Sequence, residues 1–168
     1  MVCSGGRVQF TPASRGPRQM HRVLAQLSKA QAAGGLPDTD TLRASLHFAR
    51  SPSLIFAVSD FLDWPSAQAD ALLRLRRMRH DVRALCLQTQ AERDASFPPD
   101  QAWRDPEQQE GTYRLAPDTL AHYRKARDDH FASVKAQCRH NDLPLLAACI
   151  EDGLPGVLRG WLRLAGRA

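Results

Sequence analysis

A chain of 168 residues, 43% of them hydrophobic and 24% charged, has the length and composition to bury a core, which sets intrinsic disorder aside. No apolar run approaches the ~20 residues that cross a bilayer, and no basic stretch followed by an apolar core opens the chain, so neither a membrane span nor a signal peptide is expected and a soluble cytoplasmic chain is the simplest reading. The net charge of +5 is mostly unclustered, and Cys3, Cys86, Cys138 and Cys149 lack the spacing of a zinc site or a disulfide framework.

In chain order, residues 7–10 give a weak strand signal and 11–17 read as a loop from their Pro, Gly and Ser content. Met20, Val23, Leu24 and Leu27 recur at three- and four-residue steps, predicting one face of a helix over 18–33 that Gly34-Gly35 ends. A second helix is expected over about 41–49, carrying Leu42, Leu46 and Ala49, with Asp38, Thr39 or Asp40 as its N-cap. After Pro52 comes the nearly uninterrupted apolar run 53–59, which reads as a parallel strand covered on both faces. Ligands gather at the carboxyl ends of such strands, so Ser59, Asp60 and Asp63 stand where a site would be.

Pro65 is expected in the first turn of a helix over 65–79, with Ala69, Leu72, Leu73 and Leu75 toward the core and a basic C-terminal end. Residues 81–87 predict a second parallel strand, and two strand–helix units in sequence define an α/β sheet. Cys86 and Cys149 lie in apolar runs and read as core. The stretch 88–111 is polar, with Pro98-Pro99 and Asp105-Pro106-Glu107, and reads as a long excursion. Residues 112–115 suggest a short hairpin strand, 117–140 the longest helix and 143–149 a further strand. Residues 154–164 suggest a closing amphipathic helix with Leu154, Leu158, Trp161 and Leu162 inward.

Thr39-Asp40 ahead of a helix, Ser59-Asp60-Phe61-Leu62-Asp63 at a strand end, Arg79-His80-Asp81-Val82 entering the next strand and Asp105-Pro106-Glu107 before a strand with Tyr and Leu occur in an order and spacing that is fairly specific. With the long helix around Tyr123 and the short strand and helix after it, they resemble the bacterial von Willebrand factor A-like proteins catalogued as domain of unknown function 58, from about Val8 onward. The resemblance implies a Rossmann-like, mostly parallel sheet flanked by helices, whose top edge holds a divalent cation through three loops. Asp60 resembles the third-loop Asp, and Thr39 or Thr41 the second-loop Thr, with Asp38-Thr39-Asp40-Thr41 leaving the register open. The first-loop Asp-x-Ser-x-Ser does not occur in this sequence.

In the family's arrangement the strand bearing that first loop pairs directly with the strand at 53–59. The resemblance therefore implies a single domain over 1–168 that lacks its first two strands, either the C-terminal part of a longer domain or a shortened gene product, with an unpaired side on 53–59 and a tendency to be poorly stable or to associate. It also implies a noncatalytic protein-interaction module, an adaptor working with a MoxR-type AAA+ ATPase. Mg²⁺ in an intact parent domain would leave one position open for a partner's carboxylate, while no cofactor is expected in this chain.

Each candidate has a plainer role. Asp60 can hold the turn that follows its strand, and Thr39, Asp40 and Thr41 are helix-capping residues by default. Ser59 has no Gly-x-Ser-x-Gly surroundings, so a nucleophile is not expected. Asp105, Glu107 and Glu110 have no dry pocket that would raise a carboxyl pKa, so no enzyme is expected, a hydrolase using Asp60 being the outside case. His80 reads as a packing or capping residue. The basic run 74–80 fits the solvated side of a helix with no aromatic stacking surface, which leaves a basic nucleic-acid-binding α/β protein as the rival reading and no nucleic acid as the expectation.

Overall fold

A computed structural model of the chain describes residues 1–12, 14–30, 35, 37–48, 51–98, 101–104, 111–114 and 116–164, and these fall into two compact units, Met1–Arg50 and Ser51–Ala168. The expectations placed on Gly34, Ala49, Leu115, Pro99 and the Asp105-Pro106-Glu107 and Glu110 stretch lie outside the described residues. No helix among the described residues is long and apolar enough to cross a membrane.

In the first unit, β1 (Val2–Ser4) pairs antiparallel with β2 (Arg7–Gln9) in the register Cys3↔Val8. Gly5 and Gly6, at φ 57° and 68°, make the two-residue turn between them, a conformation that favours glycine and matches strand twist. Helix α1 (Pro17–Lys29) starts with proline at its first turn and ends before the Gly34-Gly35 stop that the sequence suggested. Met20, Val23, Leu24 and Leu27 all stay exposed. Helix α2 (Thr39–Ser45) starts at Asp38, whose carboxylate accepts the Thr41 N–H at 2.7 Å, and a single 3₁₀ turn, Leu46–Phe48, continues it. Leu42 and Leu46 are buried, and Phe48 stacks on Phe10 with ring centroids 4.0 Å apart.

The second unit is a three-stranded parallel sheet in the order β3 (Leu54–Ser59), β4 (Asp81–Gln88), β7 (Leu145–Cys149). Helix α3 (Ala67–Arg77) joins the first two strands. The outer strands pair with the middle one in the registers Ser59↔Cys86 and Leu85↔Leu146. Between β4 and β7 the chain runs through α4 (Gln90–Asp94), β5 (Ala102–Trp103), β6 (Tyr113–Arg114) and α5 (Pro117–His140). The excursion over 88–111 is thus partly structured, because Thr89 and Glu92 form a capping box and Phe97 packs on Trp103 and Tyr123 at 5.1 and 5.4 Å.

Helix α6 (Leu154–Leu164) closes the unit. Trp161 seats it on Leu85 and Ala148, with Val157 beside the same cluster, whereas Leu154, Leu158 and Leu162 remain exposed. The helix therefore turns its indole, not its leucine stripe, onto the sheet. The α5 residues Phe131, Val134 and Cys138 cover the unit's core from another helix, and Val82, Ala84 and Cys86 at its centre are sealed. Cys86, Cys138 and Cys149 are buried free thiols.

Strand β3 departs from the expected two-sided burial. Among the described residues it pairs only with β4, and Leu54, Phe56 and Val58 are 51%, 45% and 54% exposed. The apolar run signals a strand built for burial, but among the described residues nothing pairs with its outer side.

Helix α3 begins at Ala67, two residues after Pro65, because Trp64 is first drawn into the core at 5% exposed. Both α3 and α5 stop the same way. The His80 N–H reaches the Leu75 carbonyl and the Arg79 N–H that of Arg76; the Leu143 N–H reaches Cys138 and the Asp142 N–H that of Arg139. These are Schellman stops, with Arg79 and Asp142 in the left-handed conformation at φ 65° and 51° where glycine is usual. Buried His80 then accepts the Ser53 N–H at Nδ1, 3.1 Å away, fixing where β3 begins.

Candidate functional site

The carboxyl end of β3 carries a turn with an anchored side and a displayed side. The Ser59 hydroxyl accepts the Phe61 N–H at 3.2 Å, and Asp60 Oδ1 accepts the Leu62 N–H at 3.1 Å, so two side chains replace the sheet partners that the backbone loses there. This lets Phe61 sit at φ 57° with its ring 1% exposed, 5.7 Å from the Trp64 ring. Helix α5 fastens the turn from outside: His130 Nε2 donates to the Phe61 carbonyl at 2.9 Å, and Trp64 Nε1 donates to Gln137 Oε1 at 3.0 Å. Between the anchors Asp60, Leu62 and Asp63 are exposed, Leu62 at 60%. Asp60 Oδ1 and the backbone of the turn are thus fixed, and the Leu62 and Asp63 side chains project from that backbone into solvent.

Below the turn, the Cys86 thiol donates to the Asp60 carbonyl at 3.3 Å. Burial, and after it the negative charge of Asp60, push this thiol up to about 11, and burial does the same to Cys138. Both are protonated at neutral pH, so neither is a nucleophile there.

Thr39 and Thr41 lie in the first unit. Thr41 is committed to its cap, since its N–H and its hydroxyl both bond Asp38, the latter at 3.0 Å, and the Thr41 N–H holds the Asp38 carboxyl below its ordinary range. Thr39, at the first helical position, makes no side-chain hydrogen bond among the described residues. The sequence signal that fits best here is the Asp38 cap, one of the alternatives read from the sequence.

A resident Mg²⁺ takes about six oxygen ligands, several of them waters and one or two carboxylates. Around β3 the chain brings Asp60, whose Oδ1 already holds a backbone N–H, and the Ser59 hydroxyl 3.5 Å from that oxygen. Among the described residues no three His, Cys, Asp or Glu side chains gather as a metal-binding group. The donors of this unit by themselves do not fit such an ion, and no step is assigned to one.

A parallel sheet flanked by helices, with its displayed turn at a strand's carboxyl end, defines an α/β protein. A family profile described as "Protein of unknown function DUF58" matches residues 1–138, and the chain belongs to that family. Neither a curated protein nor a solved structure matches it.

Proposed function

We propose that the chain is a noncatalytic, cytoplasmic protein-interaction module of von Willebrand A-like type, an adaptor for a MoxR-type AAA+ ATPase, and that the turn after β3 is its contact. The observation that supports this reading is the contrast within the turn. Phe61 and Trp64 are buried and bonded to α5, while Asp60, Leu62 and Asp63 are offered to solvent. A rigid loop loses little conformational freedom on binding, and a leucine flanked by carboxylates suits a groove with an apolar floor and cationic rims. Nothing in this mode requires proton transfer or a cofactor.

The experiment is a pull-down of the ATPase by the full chain, with Asp60→Ala and Leu62→Ala as the informative variants. Both side chains are exposed, and far-UV circular dichroism checks the fold. The expected result is a loss of roughly 5- to 30-fold in capture for each variant, since each removes a contact of about 1–2 kcal/mol, with capture unchanged by EDTA. Capture lost in EDTA would return a bridging cation to the mechanism. Capture indifferent to both variants would remove the turn as the contact. Strongly salt-dependent retention of DNA or RNA in place of the ATPase would favour the rival nucleic-acid reading.

A further inference from the structure

A second surface lies at the other side of the sheet and goes beyond the reading above. Strand β7 pairs with β4 on one side only, so among the described residues its outer row of N–H and C=O groups is unpaired. Two neighbouring hollows are lined in part by this strand. A hollow of about 900 Å³ lies at the start of β7, with Leu143, Pro144 and Leu145 in its wall. A smaller one of about 280 Å³ follows at Ala147, and the two share Lys135 and Arg139 of α5.

The charge of this groove leans positive, since Arg127 and Asp128 in the smaller hollow pair with each other at 3.0 Å and cations outnumber carboxylates in the larger. Arg76, Arg79, Lys135 and Arg139 line the larger hollow against the two carboxylates of Asp81 and Asp142. Asp81 is already paired with Arg83 at 2.7 Å, which holds its carboxyl below the ordinary range. Arg76 is occupied too, donating to the Asp142 carbonyl at 2.7 Å and weakly to that of His80. Arg79, Lys135 and Arg139 are exposed and have neither an ion pair nor a side-chain hydrogen bond among the described residues. A basic last turn is ordinary at a helix C-terminus, and Arg139 has that explanation. Lys135 sits more than a turn earlier and Arg79 lies beyond the end of its helix.

An unpaired strand edge beside unpaired cations and apolar wall residues has one well-matched ligand: an extended peptide whose backbone pairs with β7 and whose side chains alternate acidic and apolar. Nucleic acid fits less well. The aromatic ring in the smaller hollow, Phe131, is 9% exposed with the Arg127 guanidinium over its face at 5.1 Å, which leaves no platform for a base. We infer that the β7 edge, with Arg79, Lys135 and Arg139, is a docking site for an acidic, extended peptide segment of a partner protein, bound by strand addition.

The test is fluorescence anisotropy of the full chain with a labelled peptide of about seven residues alternating Glu and Val, enough to span β7. The comparison probes are the same peptide with Lys for Glu, the same peptide N-methylated at alternate amides, and an oligouridylate of equal charge. Expected are saturable binding of the acidic peptide, and a loss of roughly tenfold for the Lys peptide, for the N-methylated peptide and for the Lys135→Glu/Arg139→Glu protein. Those two side chains are exposed, so the fold is retained and is checked by circular dichroism. A milder Lys135→Gln protein, with a smaller loss, guards against a folding defect in the double variant. Equal binding of acidic and basic peptides, or no effect of N-methylation, would overturn strand addition to a basic edge. Tighter binding of the oligouridylate would overturn it in favour of nucleic acid.

Discussion

The two outer strands of the sheet, β3 and β7, differ in their surroundings although among the described residues each pairs with β4 alone. Neither contains a charged residue within its span, but β3 stands with Leu54, Phe56 and Val58 open to solvent, whereas β7 has α5 beside it carrying Lys135 and Arg139. An edge flanked by unpaired cations resists indiscriminate pairing and selects by charge; the cation beside β3, Arg83 over the Phe56 ring at 5.8 Å, is already paired with Asp81 and does neither. One sheet thus offers a selective edge and an unguarded one.

The largest effect belongs to the residue that serves both. Trp161 packs on Ala148 of β7 and sits 4.7 Å from the Phe56 ring of β3, so Trp161→Ala is expected to cost about 3–5 kcal/mol in urea unfolding and to raise amide exchange at both edges together. Protection that survives at β7 would show that the edges are supported separately. His80→Leu acts on one edge only. It leaves the Ser53 N–H without its acceptor, and a loss of about 1–3 kcal/mol with faster exchange in β3 but not β7 is expected.

Val58→Lys places a charge on the unguarded edge. Stability should change by less than about 0.5 kcal/mol, since the side chain is exposed, while any concentration-dependent association seen by light scattering should fall. Lys135→Glu/Arg139→Glu should leave that association untouched. Association unaffected by Val58→Lys would mean that β3 is not the sticky edge.

The thiols provide a pH test of the same contrast. A folded thiol held near 11 against about 8.5 unfolded contributes stability fully present below about pH 8.5 and lost as pH rises toward 11. Asp60→Asn should lower the pH at which Cys86, beneath the β3 turn, is alkylated, with Cys149 in β7 unmoved, as read by mass spectrometry of the native protein. Arg79→Gly relieves a left-handed arginine and should stabilise by about 0.5–1 kcal/mol in thermal unfolding. A destabilised Arg79→Gly protein would mean that the arginine side chain repays its backbone conformation.

Long, strongly patterned segments were legible in the sequence. Helices α5 and α6 occupy the spans that their periodicity predicts, and β3, β4 and β7 follow in the expected order. Strands of two or three residues such as β1 and β5 carry too little pattern to read, because their pairing, not their composition, defines them. Helix α4 had a readable signal in Thr89-Gln90-Ala91-Glu92, a capping box inside a polar stretch. Burial was less legible than position. The α6 leucines and the Trp161 indole share one broad apolar arc, and only the sheet's location decides which part is used. The turn at Ser59–Trp64 could be anticipated as a strand end, but its anchoring by His130 and Gln137 spans about 70 residues of chain. The basic edge of β7 joins Arg79 to Lys135 and Arg139, residues that only the topology makes neighbours.

The open side of β3 bears on dosage. Six uncharged residues without proline are the kind of segment from which steric zippers are built, and their hazard grows with concentration. At high concentration, molecules with this side open can pair through it, and the associated material aggregates or is cleared by proteases. The strand therefore sets a ceiling on the concentration at which the chain stays dispersed.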